Sequence, residues 1–340
     1  MVTYITVDST KTGVGKYAHD LYKLMSPESQ IIQLIFNQKY KDDFFKNPYR
    51  GFNTSLLNYA FSNFVFRSAI NSINNRDDII HITSQTIKPI FRNKNMVITI
   101  HDIIAFSKDQ YIMEKIRRIG MRRYLRKYIK YKNIVTVSKQ VKNEIVTKFN
   151  INENNVSVIS PYVSDNFFPL NEKDNLRKEL GLPLNKKLIL SVSSDQPRKN
   201  LKMVKMVMDN LDNSYQLVRI GPQVGNSITF INLDGEKINK LYNACDMLLF
   251  PTLQEGFGYP VVEAFKTGLP VLSSNINVIS EVSDGSAVLV NPEELNENLE
   301  GVYKVLENSD YYIKKGYERA KHYSSDVIRK KLVSYYSSIK

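Results

Sequence analysis

Two glutamates set eight residues apart, Glu255 and Glu263, flank a glycine-rich turn in the segment Pro251-Thr-Leu-Gln-Glu-Gly-Phe-Gly-Tyr-Pro-Val-Val-Glu-Ala-Phe-Lys-Thr-Gly-Leu-Pro-Val271. The order reads strand, glycine loop, helix, turn, strand. Pro260 suits the first positions of a helix. A helix start presents unpaired amides and a partial positive charge, a natural seat for a diphosphate. Gly256 and Gly258 allow backbone to approach such a ligand closely. The two carboxylates border it from different places, Glu255 from the loop and Glu263 from one turn into the helix.

A second cluster lies about 55 residues earlier, in Ser191-Val-Ser-Ser-Asp-Gln-Pro-Arg-Lys-Asn-Leu201. Arg198 and Lys199 stand between a strand end and a helix, where they can neutralise charge growing on a departing diphosphate. The pair His101-Asp102 follows the apolar run Met96–Ile100, at the carboxyl end of a strand, where open α/β sheets bind ligands. Asp102 either orients the imidazole or caps the following turn. His81 closes a similar run and is a second candidate, with a core position as the alternative. Lys11-Thr-Gly-Val-Gly-Lys-Tyr17 is not a P-loop, because Thr10 stands at the early glycine and Tyr17 where Ser or Thr must bind magnesium. Ala18 likewise breaks a dinucleotide fingerprint. Gly13 and Gly15 therefore form either a phosphate-approaching loop or a plain tight turn.

The Glu255 segment resembles the donor site of retaining family 4 glycosyltransferases, which have the GT-B fold: a Glu, seven residues, a Glu, a Gly-Phe-Gly loop and a downstream Gly-x-Pro-Val all match without a gap. The resemblance implies that Glu255 binds sugar hydroxyls near the reacting carbon and Glu263 the ribose. It implies that Gly256 belongs to the donor site, that the amides of Phe257, Gly258 and Tyr259 face the sugar and diphosphate, and that Lys199 and Arg198 grip the diphosphate. Relatives often carry an arginine where this chain has Ser193 or Ser194, so Arg198 either serves twice or points away. His101 is implied to reach the sugar and β-phosphate, and Gly13 with Gly15 to approach the donor. The implied activity is retaining transfer of a hexose from a UDP- or GDP-linked donor to a lipid, glycan or protein acceptor.

No Asp-x-Asp motif occurs in the chain, so the expected mechanism uses no metal and no cofactor, with Arg198, Lys199 and helix amides in place of the ion. The alternatives are another enzyme on this fold, an epimerase or an inverting transferase, and a catalytically silent basic binding protein. The paired glutamates argue against the first, and the joint presence of Glu255, Glu263, Lys199 and His101 against the second.

These side chains need a scaffold, and the hydropathy pattern supplies one. Short β-branched runs alternate with helix-length segments: Tyr4–Val7, Ile31–Phe36, Ile79–Ile82, Met96–Ile100 and Ile134–Val137, then Leu188–Val192, Tyr215–Ile220, Met247–Phe250 and Pro270–Leu272. That rhythm predicts parallel sheets covered by helices. The two prolines in 159–169 break it, which divides the chain into Rossmann-like domains 1–163 and 164–321 facing a cleft. A terminal helix, about 322–340, is expected to return to the first domain. At 340 residues two cores are affordable.

The single cysteine, Cys245, excludes an internal disulfide and reads as a small buried residue. No apolar run approaches membrane-span length, and the N-terminus reads as a strand, so a cytoplasmic protein is expected. The net charge of +13 favours polyanions. Residues 111–132 hold nine basic residues and one acid, with Ile112, Ile116, Ile119, Leu125 and Ile129 at helical spacing. They read as a solvated basic helix or a peripheral contact with anionic lipid, and less well as a nucleic-acid surface.

Overall fold

The computed structural model describes residues 1–6, 8, 12–35, 49–50, 78–85, 95–104, 122–123 and 125–339. It divides into one unit of residues 1–162 with 328–340 and a second of 163–327. The sequence places the first junction at 163/164 and the return near 322.

The first unit is built on a seven-stranded sheet in the order β3-β2-β1-β4-β5-β6-β7, every pairing parallel. The strands are β1 Val2–Thr6, β2 Ser29–Ile35, β3 Tyr49–Arg50, β4 Ile79–Ile82, β5 Met96–Ile100, β6 Ile134–Thr136 and β7 Val156–Val158. Every residue of β1, β4, β5 and β6 is buried, as parallel strands covered on both faces require. The final helix, Ser325–Ser337, belongs to this unit and buries Ile328, Leu332 and Tyr336, one stripe at four-residue spacing. A separate helix precedes it. Ser309–Ala320 ends in a tight turn at Lys321–Tyr323, and the extended backbone of Ser324 restarts the chain.

The second unit has six parallel strands in the order β10-β9-β8-β11-β12-β13. These are β8 Lys187–Val192, β9 Tyr215–Ile220, β10 Ile228–Phe230, β11 Met247–Phe250, β12 Val271–Ser274 and β13 Val288–Val290. Ile189, Val204, Val207, Leu217, Met247, Leu249 and Leu272 form its core with helix residues from one face of the sheet. Each such buried side chain contributes about 1.5–3 kcal/mol of transfer free energy. Gly301 lets the helix Leu295–Glu307 lie close on β12, since an added Cβ would stand 2.6 Å from Leu272 Cδ1.

In this sheet the strand order reverses between β8 and β11, which are hydrogen-bonded neighbours with β9 on the far side of β8. Open α/β sheets bind ligands at the carboxyl ends beside such a reversal. The loops leaving β8 and β11 are the Arg198-Lys199 loop and the Glu255 loop. In the first unit the reversal falls between β1 and β4, one strand from the end of β5 that carries His101.

Among the described residues no helix is long and apolar enough to cross a membrane. Of the basic stretch 111–132, residues 122–123 and 125–128 are helical, with Leu125 and Tyr128 buried. Residues 129–132 leave the helix in a turn, and 111–121 and 124 lie outside the described residues. Cys245 is buried and free, its thiol pushed up to about 12 by burial, which makes it inert.

Candidate active site

The loop after β8 is shaped by its own residues. Pro197 opens a tight turn over Pro197–Lys199, and Asn200, at φ 55°, reverses the chain into the helix Leu201–Asn210. Asparagine tolerates that left-handed backbone better than most residues, and its Nδ2 donates to the Pro292 carbonyl at 2.8 Å. The loop after β11 is stitched to it. Leu253 N donates to the Arg198 carbonyl at 2.7 Å, and Thr252 Oγ1 donates to the same carbonyl at 3.0 Å.

Side chains complete the join. The Glu255 carboxylate accepts from Lys199 Nζ and from Arg198 Nη1 at 3.2 Å, and its Oε1 lies 3.0 Å from Thr252 Oγ1, whose one proton it shares with the Arg198 carbonyl. Arg198 Nη1 also donates to the Gln254 carbonyl at 3.0 Å, so the guanidinium points into this cluster. Lys199 stands 5.4 Å from the Phe250 ring centroid and is largely buried. Burial lowers its pKa, opposed by the Glu255 carboxylate. Two cations share one carboxylate, leaving net positive charge at the switch point.

Beside this charge the glycine loop turns into the helix Tyr259–Thr267. Gly258 caps it at φ 99°, a region that excludes L side chains, and a Cβ there would meet Ile279 Cδ1 at 2.7 Å. Among the described residues the backbone amides of Gly256, Phe257 and Gly258 donate to no acceptor. Successive amides without acceptors, next to a helix start, are donors that suit an anion. The Phe257 ring itself is buried, edge-on to the rings of Tyr259 and Tyr323 at 5.3 Å, so this side chain anchors the loop. Glu263 is buried one turn into the helix, where Oε2 accepts from Tyr242 Oη at 2.8 Å.

The first unit presents a different chemistry. His101 is buried at the end of β5, and Nε2 lies 2.7 Å from the Thr83 carbonyl of the neighbouring strand end. A carbonyl only accepts, so Nε2 carries the proton and Nδ1 is the acceptor. Burial pulls the imidazole down to about 4, so it is neutral at physiological pH. Gln85 holds the same turn, accepting from His101 N at 3.0 Å and donating to the Asp102 carbonyl at 3.2 Å.

One alternative is decided here and one expectation is corrected. Asp102 caps the turn, accepting from Ile104 N at 3.1 Å, while the Thr83 carbonyl orients the ring. Gly13 and Gly15 stand in the first turn of the helix Gly13–Met25, not in a loop before it. Thr12 is a strong N-cap residue, and its Oγ1 accepts from Gly15 N at 3.0 Å, which leaves the helix-start amides of Gly13 and Val14 to face outward partners.

His81 is a core residue: Nδ1 lies 2.6 Å from Tyr336 Oη and Nε2 2.7 Å from Thr99 Oγ1, and burial pulls it down to about 3. The same threonine lies 3.2 Å from Tyr17 Oη, whose ring meets His101 edge-on at 4.9 Å.

The structure thus gathers Arg198, Lys199, Glu255, Gly256, Phe257 and Gly258 in one place, with Tyr259 and Glu263 on the helix that follows. Ser193 lies at the β8 end, where its Oγ is 3.3 Å from Arg219 Nη1. Sequence reasoning missed Thr252, Tyr242, Thr83 and Arg219. Only Arg219 carried a readable signal, a charge inside the otherwise apolar end of Tyr215–Ile220.

Residues 13–167 match the family described as Glycosyltransferase Family 4, and residues 172–323 match Glycosyl transferases group 1. The O-antigen chain mannosyltransferase RfbU of Salmonella typhimurium is 29% identical over 234 residues, 64% of this chain and 61% of that protein. The serotype-specific mannosyltransferase WbdA of Escherichia coli is 25% identical over 239 residues, 62% of this chain and 29% of that protein. The chain therefore spans under two thirds of the length of these relatives. Among solved structures, Anabaena HepE in complex with UDP-glucose superposes with a TM-score of 0.79 at 14% identity, covering 99% of each chain. WaaG, a glycosyltransferase involved in lipopolysaccharide biosynthesis, gives 0.77 at 13% identity, covering 98% of this chain and 99% of its own. The structural likeness shows the fold, which is GT-B, and the two family matches take in nearly the whole of the two units. The chain belongs to the family 4 glycosyltransferases, its second unit being a Glycosyl transferases group 1 domain.

Proposed function

We propose that this chain transfers a hexose from a nucleoside-diphosphate sugar to a hydroxyl of a lipid or glycan acceptor, with retention of anomeric configuration and without a metal ion. The observation that carries the reading is the convergence, at the reversal of the second sheet, of Lys199 and Arg198 on Glu255 beside the acceptor-less amides of Gly256–Gly258. Cations and amides suit the diphosphate, and the Glu255 carboxylate suits sugar hydroxyls. In the reaction the bond from the anomeric carbon to the β-phosphate oxygen breaks and one to the acceptor oxygen forms on the same face. The acceptor's proton passes to the departing phosphate oxygen, whose charge Lys199 and Arg198 stabilise. Neutral His101, with Nδ1 as acceptor, suits a sugar hydroxyl better than a phosphate.

Among the described residues no group of three or more His, Cys, Asp or Glu side chains is placed to hold a metal ion. Lys199 and Arg198 would supply positive charge to the diphosphate. Relatives named as mannosyltransferases make mannose the first sugar to test, and the HepE complex with UDP-glucose makes glucose the second. The experiment is turnover with a panel of GDP- and UDP-linked hexoses in EDTA, with the product anomer read by NMR. Metal-free transfer with retention supports the reading, and inversion or a strict metal requirement overturns it. The basic stretch 111–132 supports work on the cytoplasmic face of a membrane, and failure to float with anionic vesicles at low salt removes that part.

A further inference from the structure

Arg219 stands one residue from the end of β9, in register with Ser191 of β8, and its side chain is fully buried. Nη1 donates to Ser191 Oγ at 2.9 Å and to Ser193 Oγ at 3.3 Å, Nη2 to the Ser193 carbonyl at 2.9 Å, and Nε to the Pro222 carbonyl at 3.2 Å. Every one of these acceptors is neutral. The other arginines of the second unit each meet a carboxylate: Arg177 with Asp246 at 2.8 Å, Arg198 with Glu255 at 3.2 Å and Arg319 with Asp284 at 3.1 Å. No carboxylate among the described residues pairs with Arg219.

Burying an ion without a counter-ion is costly, and a neutral side chain can donate to serine and carbonyl oxygens equally well. Hydrogen bonding alone therefore does not account for the charge. Burial draws the guanidinium down only to about 10, so it stays protonated at neutral pH. The surrounding backbone is shaped to hold it. Gly221 is at φ 132°, and an added Cβ there would collide with the Ser193 carbonyl.

We infer that Arg219 is a positioning residue for the diphosphate of a nucleotide ligand at the loop that follows β8. It acts from behind the loop in two ways. Its field adds to that of Lys199 and Arg198, which pair with Glu255, and the three cations together favour the negative charge of a diphosphate. Its hydrogen bond into Ser193 Oγ also occupies a lone pair there and leaves the hydroxyl proton of Ser193, a half-exposed side chain, to be donated to the ligand. The inference rests on the donor-site reading given above.

The test is calorimetric titration of GDP, GMP and guanosine, and of UDP, UMP and uridine, into wild type, Arg219→Gln, Arg219→Lys and Ser193→Ala, each checked by thermal melting. Arg219→Gln is expected to weaken the diphosphate by about tenfold or more, the monophosphate less and the nucleoside not at all. Arg219→Lys, which keeps the charge, should recover most of the lost affinity. Unchanged diphosphate affinity in Arg219→Gln, or an equal loss for nucleoside and diphosphate, overturns the inference and leaves the donor reading standing. Absence of any diphosphate binding in wild type overturns the donor reading and this inference with it. Should Arg219→Gln not fold, the same phosphate dependence is read on Ser193→Ala, where equal losses across the series overturn the inference.

Discussion

The carboxyl ends of the two sheets solve different recognition problems. In the second unit the strands end in charge: Lys199 and Arg198 converge on Glu255, and Arg219 lies behind them. In the first unit they end in neutral groups, a His101 held by a carbonyl, a glutamine bridging the turn and helix-start amides. In the proposed function the contrast follows from what each would meet. A diphosphate repays the desolvation of fixed cations, because charge-assisted bonds are about twice as strong as neutral ones. A hydroxyl-bearing sugar or acceptor repays only neutral, directional hydrogen bonds, and a buried ion facing it would be a net cost.

The sharpest way to break that contrast is to remove one member from each side. Lys199→Ala should lose about 2–4 kcal/mol of transition-state stabilisation, roughly 30- to 1000-fold in kcat/KM. It should also flatten the salt dependence of donor binding. His101→Ala should lose about 1–1.5 kcal/mol, the worth of a neutral hydrogen bond, and leave the salt dependence as in wild type. Steady-state kinetics across a salt series reads both, and equal salt slopes in the two variants would erase the distinction.

A separate effect sharpens it from the side of stability. His81 and His101 are held below the ordinary 6.5, at about 3 and about 4, by burial. As pH falls below about 6.5 the unfolded chain takes up protons that the folded first unit refuses. Stability therefore falls with falling pH, by about 1.4 kcal/mol per pH unit for each histidine, until the folded values are reached. Denaturant melts between pH 7 and 4.5 check this. Stability that rises on acidification would contradict neutral histidines.

Much of this was legible in the order of residues. The strands Ile79–Ile82, Met96–Ile100, Tyr215–Ile220 and Met247–Phe250 coincide with the expected segments, because a parallel strand covered on both faces writes itself as a mostly apolar stretch. The short strands β3, β7 and β10, of two or three residues, show no run long enough to read, whereas β13 lies in the apolar run 287–290 and was readable. The donor loop was legible because helix start, glycines and carboxylates are local in the chain. The Thr83 carbonyl that sets the His101 tautomer was not, since it depends on β4 and β5 lying side by side. Arg219 belongs to the same kind: its role appears only once β9 is placed beside β8.

The central claim is that the second unit's switch point is a diphosphate site, and amide hydrogen exchange with and without a saturating nucleotide sugar tests it most directly. The account predicts protection concentrated in the Pro251–Val261 loop, where the amides of Gly256, Phe257 and Gly258 gain an acceptor, with weaker protection over Ser193–Asn200. Saturable binding that leaves both segments exchanging as in the free protein would contradict it.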